Sequence, residues 1–178
     1  MGAHAADGIQ PVKFLVGGGI AVGGDTLATV TFTDGTTQNV KAGGGGTIYV
    51  GGEFRTSDAV SFQATLGYHF QTTAAASNGD VTFSRFPLEL LGHYQINEKF
   101  RLGGGAQINS SPKLKGSGVA SNINESFSTA TGAVFEGEYL LTPHVGLKMR
   151  YVAVKFKPSS GGANADGNHV GLMLNYYF

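Results

Sequence analysis

The chain has 178 residues, with 12 basic and 12 acidic side chains, 29 glycines and no cysteine. Balanced charge argues against a nucleic-acid or strongly charged partner, and the missing cysteines exclude a disulfide framework and a thiolate metal site. Only 13% of residues are charged, low for a soluble surface, yet no apolar run reaches the length of a transmembrane helix, so a membrane location requires a barrel.

Met1 to Ala6 lacks the apolar core of a signal peptide and reads as the remnant of a removed export signal or as a plain terminus. A first strand is predicted over Val12 to Val22, with Val12, Phe14, Val16, Ile20 and Val22 on one face and Lys13, Leu15 and small residues on the other. Such alternation is the mark of a strand with two unlike environments. Residues 25–44 form a long connection containing a hairpin from Thr29 to Val40 around Asp34-Gly35. Strand two is predicted over Gly46 to Arg55, and strand three over Val60 to Gln71, where Phe62, Ala64, Leu66, Tyr68 and Phe70 alternate with Ser61, Gln63, Thr65, Gly67 and His69. After a small-residue loop, Thr72 to Asp80, strand four spans Val81 to Ile96. Val81 and Phe83 fall on the opposite parity to Phe86, Leu88 and Leu90, which predicts a bulge near Ser84 to Pro87.

Strand five starts at Phe100 and reaches Ile108. Residues 109–126, rich in Ser, Asn, Lys and Gly, are expected as a long polar loop. Strand six runs from Phe127 to Leu141 and strand seven from Val145 to about Phe156. A loop from Pro158 to Gly167 then leads to strand eight, His169 to Phe178. The connections alternate long and short. That rhythm predicts an all-β, antiparallel up-and-down transmembrane barrel of eight strands, with short turns and both termini on the periplasmic side and longer loops outside. Residues 1–11 are expected as a periplasmic N-terminal segment and 12–178 as the barrel.

Alternation alone does not say which face is inside, and a soluble lipocalin-like barrel would turn the apolar face inward. Three features favour lipid on that face. The opposing face carries a balanced set of charges: Lys13, Glu53, Arg55, Glu89, Arg101, Glu136, Glu138, Lys148 and Arg150, with His93 beside them. Neighbouring strands can then pair opposite charges within a lumen. Aromatic residues gather near strand ends. Phe14, Phe54, Phe62, Tyr94, Phe100, Tyr139, Tyr176 and Phe178 lie at one end, and Tyr68, Phe70, Phe86, Phe127 and Tyr151 at the other, as in interfacial girdles. The charged face is also rich in glycine, which suits a narrow filled interior.

Strand eight carries Val170, Leu172, Leu174, Tyr176 and a terminal Phe178 on one face. On this signature and its strand pattern, the chain resembles the small eight-stranded outer-membrane barrels of Gram-negative bacteria, the class of the OmpA transmembrane domain and OmpX. Arg85-Phe86-Pro87-Leu88-Glu89 and Pro112 to Gly118 are similar to segments of outer-membrane β-barrel domains. The resemblance implies that Val170, Leu172, Leu174, Tyr176 and Phe178 are the signal read by the barrel-assembly machinery. It also implies contact with outer-membrane lipids and lipopolysaccharide. It supplies no catalytic residues, no cofactor and no cell-wall tether. An eight-stranded barrel needs no partner to close, which predicts a monomer.

The residues offer little for catalysis. Glu89 and His93 share a strand face and are expected as a structural hydrogen-bonding pair. Metal binding there would need further ligands, with Glu53 or Glu136 as candidates. Outer-membrane deacylases carry a His-x-Ser-Asn stretch, where this chain has His69-Phe70-Gln71-Thr72. The expectation is a non-enzymatic structural or surface-interaction barrel with a packed polar lumen. The alternative is a narrow, low-conductance channel, in which inward glycines such as Gly17, Gly51, Gly103 and Gly146 leave water-filled pockets.

Overall fold

A computed structural model describes residues 12–31, 35–73 and 79–178. The expected N-terminal segment, the Asp34 turn position and the middle of the 72–80 loop lie outside the described residues. In chain order the strands are β1 (Val12–Gly23), β2 (Thr26–Thr31), β3 (Thr37–Lys41), β4 (Gly45–Arg55), β5 (Val60–Thr72), β6 (Val81–Gln95), β7 (Phe100–Gly116), β8 (Asn124–Ser126), β9 (Ala130–Leu140), β10 (Val145–Ala153), β11 (Lys155–Phe156), β12 (Ala165–Asp166) and β13 (His169–Tyr177). A 3-10 turn over Gly118–Ala120 precedes β8. The antiparallel order β6-β5-β4-β1-β13-β10-β9-β7 is closed by pairing of β6 with β7, so eight strands form a barrel without a free edge. The remaining strands belong to connections. β2 and β3 form the expected hairpin, and β8 adds to the far end of β7.

The three short connections, 56–59, 96–99 and 141–144, share one construction. In each, the second residue accepts two backbone N–H groups through its side chain. Ser57 Oγ takes those of Ala59 and Val60, Asn97 Oδ1 those of Lys99 and Phe100, and Thr142 Oγ1 those of His144 and Val145, all at 2.9–3.3 Å. Such side-chain turns replace the hydrogen bonds that the backbone loses in reversing direction. All three lie at the end of the barrel where β1 begins and β13 finishes, here the turn end; the other is the loop end.

The faces divide sharply. Leu66 is 57% exposed and Leu174 53%, whereas Arg101 is 2% exposed and Glu138 0%. An apolar outside around an ionic inside suits acyl chains, not water.

The loop end reverses this chemistry while keeping the alternation. Along β6, Glu89 and His93 are buried and Phe86, Leu88 and Leu90 are exposed. Beyond Arg85, Val81 and Phe83 are fully buried and Thr82 and Ser84 face outward. Along β10 and β11, buried Lys148 and Arg150 give way to buried Val152, Val154 and Phe156, while outward Leu147 and Met149 give way to Lys155. The barrel wall therefore passes from a lipid-facing to a water-facing regime near Arg85 and Arg150. The buried apolar side chains form a cap over the lumen. Phe83, Phe127 and Phe156 meet edge to face with centroids 5.5–6.3 Å apart, and Val40 and Ala42, from β3 and the residue following it, pack on them.

Three expectations need correction. Residues 109–126 are not a loop throughout, because β7 continues to Gly116. A register irregularity does fall between Ser84 and Phe86, but the extra residue is on the partner strand. Ser84 pairs with Lys113 and Phe86 with Ser110, so β7 takes three steps while β6 takes two. Ser111, with φ 50°, absorbs the step. Parity inverts there: Gln107 and Asn109 point inward, then Pro112, Leu114 and Gly116. Phe127, expected in the outer aromatic girdle, is 7% exposed and belongs to the cap. It precedes β9 and forms a bridge with Pro158, which turns it in.

Candidate functional site

The inward positions of the staves assemble a layered ionic network. Nearest the turn end, Arg101 of β7 is the hub. Its Nη1 donates to Glu53 Oε2 at 2.7 Å, its Nε to Glu138 Oε2 at 2.8 Å, and its Nη2 to the Tyr177 hydroxyl at 2.6 Å. Tyr177 donates in turn to Glu138 Oε1 at 2.7 Å, and Asn175 Nδ2 donates to the same oxygen at 3.0 Å. Tyr49 donates to Asn175 Oδ1. One layer up, Glu136 meets Lys148 Nζ at 2.6 Å and accepts from His93 Nε2 at 2.7 Å, with Arg150 Nε further off at 3.8 Å. Above it, Glu89 Oε1 accepts from Arg150 Nη2 at 2.7 Å and from Gln107 Nε2 at 2.5 Å, and Asn109 continues the chain onto Gln107.

Several of these contacts run across the cylinder and do not follow its wall. Arg101–Glu53 joins β7 to β4, and Arg150–Glu89 joins β10 to β6; neither pair of strands is adjacent. Buried charges in this setting hold only with good geometry and with their other lone pairs and protons satisfied. Inward glycines provide the room. A Cβ at Gly103 would lie 2.5 Å from the His93 ring, and one at Gly146 would collide with the Glu138 carboxylate. The space beside Gly17, Gly103 and Gly146, which the channel alternative would fill with water, is occupied by Tyr49 with Asn175, by His93 and by Glu138.

Of the residues singled out in sequence, Glu53, Glu89, His93, Arg101, Glu136, Glu138, Lys148 and Arg150 come together here. Lys13 and Arg55 do not. They are half-buried and line a recess of about 360 Å³ at the turn-end mouth with Lys99 and Pro143. Neither makes an ion pair among the described residues. The expected Glu89–His93 pair is not formed; each turns to a partner on another strand. Tyr49, Tyr177, Gln107 and Asn175 were legible by parity as lumen residues, though not as network members. Arg85 was missed. It is 1% exposed, donates to the Ala42 carbonyl at 2.6 Å, and holds its guanidinium 5.6 and 5.2 Å from the rings of Phe83 and Phe156. His69 faces the lumen and bonds the Gly44 carbonyl at 2.8 Å, away from the lipid side where a deacylase histidine would act. No cluster of three or more metal-ligating side chains occurs among the described residues.

The family comparison agrees with this architecture. The model of the family described as "Outer membrane protein beta-barrel domain" matches residues 1–178. The chain belongs to that family. It is thereby a bacterial outer-membrane β-barrel. Among solved structures it is similar to Ail, the attachment invasion locus protein of Yersinia pestis, at 13% identity and a TM-score of 0.57, covering 94% of this chain and 97% of Ail. It is also similar to neisserial surface protein A, at 12% identity and a TM-score of 0.60, covering 97% of this chain and 100% of that one. Likeness at these identities is one of fold. A comparison with curated proteins finds no match.

Proposed function

We propose that this barrel is a structural and surface-interaction protein without catalytic activity, whose lumen is sealed to solutes. The observation that carries this reading is the double closure of the interior. The ion pairs Arg101–Glu53 and Arg150–Glu89 and the His93–Glu136 contact cross the cylinder, and the apolar cap of Phe83, Phe127 and Phe156 lies over them. In this orientation the turn end and both chain ends face the periplasm, and the loop end faces outward. Val170, Leu172, Leu174, Tyr176 and Phe178, all exposed to lipid, serve as the signal to the assembly machinery. The barrel works as a monomer.

The outer surface supports interaction with anionic partners. Lys113, Lys115, Lys155 and Lys157 are exposed at the loop end, and none pairs with a carboxylate among the described residues. They lie beyond the lipid-facing band, at the level of phosphate-bearing lipopolysaccharide headgroups. Ail, of like fold, has been crystallised with the heparin analogue sucrose octasulfate, which accords with a basic surface on such a scaffold.

Planar-bilayer recording tests the seal. Wild type is expected to be silent, and a Glu136→Ala/Glu138→Ala variant to conduct, because His93, Lys148 and Arg101 lose carboxylates that hold them in place within the lumen. Conductance in the wild type would instead establish the narrow channel for ions or small solutes. Silence in both would mean that the carboxylates are not what seals it.

A further inference from the structure

Between the ionic network and the apolar cap lies a chamber of about 10 Å³, room for one water-sized particle. Its wall includes Arg85, Arg150, Glu89, His69 and His169. The hydrogen-bonding capacity of that wall is unevenly spent. His69 Nε2 is committed to the Gly44 carbonyl and His169 Nδ1 to the Gly167 carbonyl. The Gln107 amide and Arg150 Nη2 are committed to Glu89, and the Tyr49 hydroxyl to Asn175. Arg150 Nε makes no hydrogen bond among the described residues but lies 3.8 Å from Glu136 Oε2. Arg85 Nε is buried with no hydrogen-bond partner among the described residues, and it belongs to a cation.

The charge on Arg85 is likewise unmatched. Arg150 is paired with Glu89 at 2.7 Å and lies 3.8 Å from Glu136. Arg85 has no carboxylate within ion-pair distance among the described residues. It is capped by aromatic faces and one carbonyl. A fully buried cation in that state is costly unless a counter-charge is supplied. We propose that the chamber is a binding site for one small monovalent anion of halide size, anchored by Arg85. A phosphate or a carboxylic acid is too large for it. An anion there neutralises Arg85 and accepts from its free Nε–H. Glu89, Arg150 and the two histidines complete the wall around it.

The test is to refold the full chain in sodium bromide, crystallise it, and record diffraction at the bromine absorption edge. An anomalous peak in the chamber beside Arg85 is the expected result. An empty chamber, or density with no anomalous signal as for a water, would overturn the proposal. A second measurement needs no crystal. The heat-modifiable gel shift of wild type refolded in chloride is expected to have a midpoint roughly 2–4 °C above that of protein refolded in gluconate at equal ionic strength. Equal midpoints would count against the site. In Arg85→Gln the chloride-gluconate difference should vanish; if it persists, the anion is bound elsewhere. Should that variant not refold, the bromide experiment on the wild type still decides.

Discussion

The two halves of the interior solve the same packing problem with opposite chemistry. The part beside the turn end is filled by Glu53, Glu136, Glu138, Arg101 and Lys148, and the part beneath the loops by Val81, Phe83, Phe127, Val152 and Phe156. The difference follows from what lies outside. Where the wall faces acyl chains, the apolar side chains point outward, so the lumen receives the polar ones and must satisfy them internally. Where the wall rises beyond lipid, water takes the outer face and the hydrophobic effect is again available to fill the inside. The chain is thus an inverted protein below Arg85 and an ordinary one above it, on a single continuous set of strands.

The comparison is broken most severely at its ionic end. Arg101→Ala removes the one cation shared by Glu53 and Glu138 and leaves both carboxylates buried. The expected loss is about 3–5 kcal/mol, read from denaturant unfolding in lipid vesicles, together with conductance in planar bilayers. Phe156→Ala, in the cap, is expected to cost about 3 kcal/mol through the cavity it leaves. It should stay silent in bilayers, because the ion-pair layers beneath are untouched. If Phe156→Ala conducts and Arg101→Ala does not, the seal lies in the cap and the two regions exchange roles.

The lipid-facing wall supplies the next effect. Leu66 lies mid-strand on the exposed face and Gln63 is 3% exposed in the lumen, opposite Glu53. Leu66→Arg is expected to cost about 2–4 kcal/mol near the bilayer midplane. Gln63→Arg should cost less, since the new cation lies beside a carboxylate. Folding yields into vesicles of the two variants decide the order, and the reverse order would put Leu66 out of contact with lipid.

These contrasts also explain what could be read from the sequence. The staves, their faces and the three short turns were legible because period-two alternation is local; Val60 to Gln71 announces its two environments without help. The charges of the lumen were legible as a set, since Glu136, Glu138, Lys148 and Arg150 share one parity. Their partners were not. Glu89 reaches Arg150 and His93 reaches Glu136 only once the sheet has closed, and closure is not a local property. The upper barrel was misjudged for two further reasons. Ser111 inverts the parity of β7, so Lys113 and Lys115 looked like loop residues. The exchange of lipid for water reverses the meaning of an apolar face, so Phe127 was assigned to the outside and Val81 and Phe83 looked out of phase. Arg85 lies where the two regimes meet; its parity with Glu89 places it inward, but alternation does not show that it stands without a carboxylate partner among the described residues.

The smallest expected effect concerns how the loop end is held together. Glu125, on β8, accepts hydrogen bonds from the Ser160 hydroxyl at 2.5 Å and the Ser160 backbone N–H at 3.3 Å, tying two outer connections to each other. The hydroxyl contact, with the backbone donors behind it, holds the Glu125 carboxyl below the ordinary glutamate value. For a depressed acid the sign is fixed: the tie is in place above the unfolded-state value and is lost as pH falls through the lower folded one. The Ser160 amide proton, followed by NMR in detergent micelles, should titrate with Glu125 at a midpoint below that of an unperturbed glutamate. Ser160→Ala should move that midpoint upward, while the lumen and its bilayer silence stay unchanged. A midpoint that ignores Ser160→Ala would mean that the hydroxyl does not hold Glu125 in solution, and the two connections would then be joined only by their backbone contacts, Ser159 N to Ser126 O among them.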